Sequence, residues 1–158
     1  MEEFTHFNKQ GEAVMVDVSE KQDTVREAVA TGKITMTPSC RKMVEEGHMG
    51  KGDVLSCARI AGIMGAKRTS ELIPLCHILN LTKVEIAFTY EDENQICVFC
   101  TARTVGKTGV EMEALTGVNI ALLTIYDMCK AVDKRMLMGD IHLCAKSGGK
   151  SGDFCYEG

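Results

Sequence analysis

The 158-residue chain has no tryptophan, five phenylalanines and three tyrosines, so aromatic stacking cannot dominate its core. Aliphatic side chains and ten methionines must fill that space instead. There are two prolines, Pro38 and Pro74, which leaves long stretches free to form uninterrupted elements. A basic surplus is also missing: the net charge is −4, with lysine and arginine scattered, which argues against nucleic acid as the main partner. The longest run without a charge is Ala114–Tyr126, well short of the ~20 residues that a membrane-spanning helix needs. No charged, apolar and small-residue leader opens the chain, so nothing points to secretion. These absences predict one soluble, cytoplasmic domain over residues 1–158, with 1–13 and 147–158 flexible.

Cysteine is plentiful: Cys40, Cys57, Cys76, Cys97, Cys100, Cys129, Cys144 and Cys155. Their spacing follows no framework, and in a chain without an export signal disulfides are not expected. The one CxxC, Cys97–Cys100, sits in a strand-like run, where positions i and i+3 point to opposite faces and cannot chelate one metal. A zinc site is rejected, and the thiols are read as small buried hydrophobes.

The rest of the chain is organised around Gly109–Lys134. At about 100° per residue, Glu113, Thr116, Asn119, Thr124, Asp127, Lys130 and Lys134 fall within a stripe roughly 140° wide, and the remainder is almost all apolar. A plain solvated face with an Asp127–Lys130 ion pair is one reading. The apolar arc is too wide for a freely exposed helix, so the stripe is read as the wall of a polar cavity.

Taken in order, Val14–Val18 reads as a short strand and Ser19–Thr24 as a loop. Arg26–Met36 is helix or strand, with Gly32 and the Ile34/Met36 alternation favouring strand at its end. Pro38 opens a helix that Gly47 stops, and Asp53 is a good N-cap for a helix to at least Met64. Val84, Ile86, Phe88 and Tyr90, then Ile96, Val98, Cys100 and Ala102, alternate about a polar turn, the pattern of an antiparallel hairpin. Asp140–Ala145 is a last strand before a glycine-rich tail. The class is α+β, with helices on one face of a mainly antiparallel sheet.

Two lysines and a histidine stand out. Lys51, between glycines near a helix start, is placed for an anion, with a solvated loop lysine as the alternative. His77 follows an X-Pro turn at the edge of a buried helix and is retained as a rim residue; its neighbour Cys76 is discounted as a nucleophile. Gly106-Lys-Thr108 and Gly149-Lys-Ser151 both mimic the end of a Walker A loop, but Thr101 and Cys144 stand where the first glycine belongs. The tail Lys146–Gly152 still offers main-chain N–H groups and two ammonium ions to a phosphate, a disordered tail being the competing view.

The chain resembles the cyclic pyranopterin monophosphate synthase family of molybdenum cofactor biosynthesis. The matching motifs are MVDVS at 15–19, KGDV at 51–54, ARIAGI at 58–63, AKRTSELIPLCH at 66–77, KTGVEMEALT at 107–116, LTIYDMCKAV at 123–132 and AKSGGKSGDF at 145–154. Ile78 departs from the pattern, since a proline usually follows the histidine. The resemblance implies a ferredoxin-like fold, a hexamer built as a trimer of dimers, and a lyase; no cofactor or metal ligand is singled out in the sequence. Its reaction converts 3′,8-cyclo-7,8-dihydro-GTP to cyclic pyranopterin monophosphate and releases pyrophosphate. It further implies that Asp127, Lys130 and Lys51 are catalytic. Leu75, Cys76, His77, Met112 and Glu113 match substrate contacts, and Glu111, Arg26, Lys67 and Lys146 match further pocket positions. A non-catalytic nucleotide-binding homologue and an unrelated nucleotide hydrolase are the alternatives.

Helix geometry adds one expectation. Sixteen positions separate Glu111 from Asp127, roughly 24 Å along a continuous helix. The two cannot then share a pocket within one chain. Glu111–Glu113 is therefore predicted to be extended or at the helix start, with the pocket between two subunits.

Overall fold

The alternation on either side of Glu91 folds as the hairpin it predicts. The computed structural model describes residues 3–47 and 53–158, and in it β2 (Leu81–Glu91) and β3 (Gln95–Gly106) pair antiparallel with Val84, Ile86, Phe88 and Tyr90 opposite Ala102, Cys100, Val98 and Ile96. Each pair puts two apolar side chains on the same face, which is the unit of sheet stabilisation. Before the hairpin come β1 (Thr24–Thr35), α1 (Pro38–Glu46), α2 (Val54–Lys67) and the single turn α3 (Thr69–Leu72). After it come α4 (Glu111–Cys129), β4 (Leu137–Ser147) and β5 (Phe154–Cys155).

The sheet order is β2-β3-β1-β4-β5, with every neighbouring pair antiparallel. This is an open, ferredoxin-like α+β arrangement. The core lies between the sheet and the helix layer, where Ile34, Ile86, Ile96 and Val98 meet Val118, Ala121, Leu122 and Ile125. At the helix–helix contact α2 and α4 approach so closely that a Cβ on Gly62 would lie 2.9 Å from the Gly117 carbonyl oxygen. Thr37 caps α1 by accepting from the Cys40 amide, and Gly47 ends it in the left-handed region at φ 71°. Asp53 caps α2 through the Ser56 amide at 3.1 Å.

The strand favoured for the end of Arg26–Met36 forms and extends back through nearly the whole segment as β1, paired on both sides by β3 and β4. Three expectations are corrected. Val14–Val18 joins no strand of the sheet. The glycine-rich tail is followed by a short strand, β5, on the edge of β4. The long helix stops at Cys129, five residues before Lys134, where the amides of Val132 and Asp133 both turn back to the Cys129 carbonyl.

Candidate active site

α4 begins without a side-chain cap, and its first turn carries Glu111 and Glu113. The positive end of the helix favours carboxylates there. Glu113 is nevertheless buried, 4% exposed, and its Oε2 has no hydrogen-bond partner among the described residues. Burial pushes the Glu113 carboxyl up to about 7, Glu111's charge adds to the rise, and its own main-chain amide opposes it. A carboxyl that titrates near neutrality is suited to both taking and giving a proton.

Glu113 opens into a cavity of about 270 Å³ that Leu75, Cys76, His77 and Met112 also line. Pro74 halts the helical run, and the connection to β2 then turns these side chains towards the start of α4. The His77 Nε2 lies 2.6 Å from the Val16 carbonyl oxygen, so this nitrogen carries the proton and donates it. The Cys76 thiol is pushed up by burial and by the nearby Glu113 charge, which keeps it protonated and a poor nucleophile.

Beside this cavity runs a cleft of about 740 Å³ whose wall includes Lys21, Arg26, Glu111, Lys146 and Lys150. Arg26 is fixed by donating from Nε to the Gly106 carbonyl at 2.9 Å and from Nη2 to the Lys107 carbonyl at 3.1 Å. Gly148 and Gly149 both have φ +87°, and a Cβ on Gly149 would stand 2.2 Å from Arg26 Nη1. Glycine is thus needed there twice over, for its backbone angle and for its lack of bulk. The Lys146 Nζ lies 3.1 Å from Glu111 Oε1 and 3.4 Å from Ser151 Oγ. Lys21, Gly109 and Glu111 border both spaces, so the basic cleft and the Glu113 cavity form one continuous surface. Such a surface offers cations to an anionic group and a near-neutral carboxyl to whatever is attached to it.

Arg26, Lys146, Glu111, Met112, Glu113, Leu75, Cys76 and His77 thus converge. The other expected site residues lie elsewhere. Asp127 and Lys130 pair at 2.7 Å near the far end of α4, and both side chains are more than half exposed. The hydrogen bond and charge of Asp127 hold the Lys130 ammonium above its ordinary range. Because α4 runs unbroken from Glu111 to Cys129, the two acidic ends are roughly 24 Å apart, and Glu111–Glu113 sits at the helix start. Lys67 borders a separate groove of about 460 Å³ between α2 and β2. Lys51 lies outside the described residues.

The polar stripe of α4 does not wall one cavity. In its middle, Asn119 Nδ2 donates to the Leu115 carbonyl and Thr124 Oγ1 to the Ile120 carbonyl, each satisfied by its own helix. Glu113, at one end, faces the cavity; Asp127–Lys130, at the other, is the surface ion pair of the plainer reading. Among the ionisable lining residues, Glu20, Lys21 and His6 were not anticipated. All three stand in polar stretches with no periodicity to mark them. Among the described residues no group of three or more His, Cys, Asp and Glu side chains gathers to hold a metal ion.

A ferredoxin-like α+β domain with an anion cleft and a near-neutral carboxyl defines a small-molecule enzyme. Residues 15–149 match the sequence profile of the MoaC family. The chain is 58% identical over 151 residues to the cyclic pyranopterin monophosphate synthase of Clostridium perfringens (strain 13), covering 95% of this chain and 96% of that protein. It is 55% identical over 153 residues to the enzyme of the same name from Brevibacillus brevis, covering 97% and 96%. To that from Heliobacterium modesticaldum it is 55% identical over 158 residues, covering 99% of each. The chain belongs to the MoaC family, the cyclic pyranopterin monophosphate synthases.

Proposed function

We propose that the chain is a lyase of molybdenum cofactor biosynthesis. It converts 3′,8-cyclo-7,8-dihydro-GTP to cyclic pyranopterin monophosphate and releases pyrophosphate. The observation that carries this reading is the continuity of the Lys21–Arg26–Lys146 cleft with the cavity of the buried Glu113. A nucleotide-derived substrate has two demands of that kind. Its triphosphate is attacked internally at the α-phosphorus, and cations stabilise the charge that develops as pyrophosphate leaves. Its base is opened and rebuilt as a pterin, which takes several proton transfers.

Asp127 and Lys130 carry out proton transfer at the base and sugar, and Lys51 is a second acid/base or charge stabiliser. Leu75–His77, Met112 and Glu113 hold the substrate, with Glu111, Arg26, Lys67 and Lys146 around its polar periphery. Since Asp127 lies roughly 24 Å along α4 from Glu111, one chain does not supply the whole site. The working enzyme is a cytoplasmic hexamer, a trimer of dimers, with each site at a subunit interface.

Incubation with the cyclised dihydro-GTP, followed by detection of the pterin and of pyrophosphate, tests the activity directly. Product from this substrate and none from GTP is expected; pyrophosphate from GTP itself would replace the reading with nucleotide hydrolysis. Lys51→Ala and Lys130→Ala should each stall the reaction with intermediate accumulating, and near-normal turnover in either would remove that residue from the catalytic set.

A further inference from the structure

The residues before the MVDVS motif carry their own hydrogen bonds. Asn8 Oδ1 accepts from the amides of Gln10 at 3.0 Å and Glu12 at 2.9 Å, the Asn8 amide donates to the Glu12 carbonyl, and Gly11 turns the chain at φ 79°. Phe7 bridges Ala13, and the Val14 amide donates to the His6 carbonyl at 2.9 Å. Two residues further on, Val16 receives the His77 proton at 2.6 Å. A small hairpin is thereby pinned to the rim of the Glu113 cavity, and it places His6 in the cavity wall.

Ionisable groups that border this cavity with Glu113 are His6, Lys21, Cys76, His77 and Glu111. Most are committed. His77 is held on Val16, Glu111 pairs with Lys146, and the Cys76 thiol stays protonated. Lys21 also borders the basic cleft, where an ammonium serves an anion. The His6 ring makes no hydrogen bond to the described residues and is exposed to solvent. Glu113 is the reverse: a buried side chain whose Oε2 has no hydrogen-bond partner among the described residues. A buried carboxyl that takes a proton and does not hand it back to the substrate needs a route to solvent, and a solvent-exposed imidazole on the wall of the same cavity can supply one.

We propose that His6 is the relay that moves protons between Glu113 and solvent. Glu113, having taken a proton from the substrate, gives it as a carboxylic acid to the neutral imidazole through water filling the cavity that both line. Carboxylate and imidazolium result, and the exposed imidazolium then loses the proton to bulk water. Run in reverse, the same pair delivers a proton. His6 acts through Glu113 and is a positioning and relay residue for the reaction proposed above, on which this inference rests.

The test is steady-state pyrophosphate release by the full chain and its His6→Gln variant. His6→Gln should lower kcat about tenfold with KM within about twofold, and imidazole in the buffer should restore most of the loss. Combined with Glu113→Gln, the His6 change should cost nothing further, because the relay has no donor left to serve. An unchanged kcat, a loss confined to KM, or no rescue by imidazole overturns the relay while the activity itself stands. An unaltered chain that makes no pterin product overturns both. The thermal midpoint of His6→Gln, an exposed position, should match that of the parent; a lowered midpoint together with failed rescue would assign His6 a structural role.

Discussion

At the scale of single residues, Glu113 makes the strongest prediction because its burial and its protonation are coupled. In the folded chain its carboxyl is raised to about 7, whereas in the unfolded chain it titrates near 4.5. Below the lower value both states are protonated and the group contributes nothing to pH dependence. Between the two values the unfolded state loses its proton first, so stability falls as pH rises through that window and is level above it. The difference corresponds to roughly 3 kcal/mol. Glu113→Gln keeps the shape and removes the titration. Urea unfolding should therefore show the variant gaining on the parent between about pH 4.5 and about pH 7, while its turnover falls sharply. A parallel pH dependence in parent and variant would mean that Glu113 is ionised and solvated in solution. Arg26 shows the limit of reading residues from sequence. Nothing around it marks it, since what fixes it in the cleft wall is two carbonyls 80 and 81 positions away, brought there by strand register.

At the scale of elements, the helix pair α2–α4 sets where the site can be. Gly62 and Gly117 let the two backbones approach, with the Gly117 carbonyl 2.9 Å from a Cβ built on Gly62. Replacing Gly62 by alanine gains about 1 kcal/mol of helix propensity. That gain is set against a clash with backbone that cannot rotate away, and overpacking of this kind costs about 1–3 kcal/mol. The clash should win, with Gly62→Ala lowering the melting temperature by about 2–6 °C in differential scanning calorimetry; an equal or higher melting temperature would show the helices free to separate. Elements defined by local pattern were legible. The hairpin announced itself by alternation, and α1 and α2 by Pro38, Gly47 and Asp53. The end of α4 was not, because no glycine or proline stands near Cys129 and the stop is made by main-chain turns. Nor was β5, whose two residues become a strand only because β4 offers an edge. The stripe on α4 misled for a related reason. Periodicity shows which side chains share a face, but not that Asn119 and Thr124 spend their polar groups on their own helix.

At the scale of the whole molecule, the length of α4 becomes a statement about assembly. A continuous helix holds Glu113 buried against a cavity near its start and Asp127 on open surface near its end. If both groups act on one substrate, they come from different copies of the chain, and each copy contributes one end to each of two sites. Glu113→Ala and Asp127→Ala chains should then each be nearly inactive alone yet recover activity when mixed. In a random equal mixture a site is intact only when its Glu113 comes from an Asp127→Ala chain and its Asp127 from a Glu113→Ala chain. Each condition is met half the time, so about a quarter of the sites are restored. Measured after co-expression or after dissociation and reassembly, pyrophosphate release should therefore approach about a quarter of the parent rate. A site built within one chain gives no recovery at any mixing ratio, since every chain carries one defect. The quarter-rate plateau also depends on exchange between copies, so variants mixed without dissociation should remain inactive, which separates a shared site from contamination by the parent enzyme.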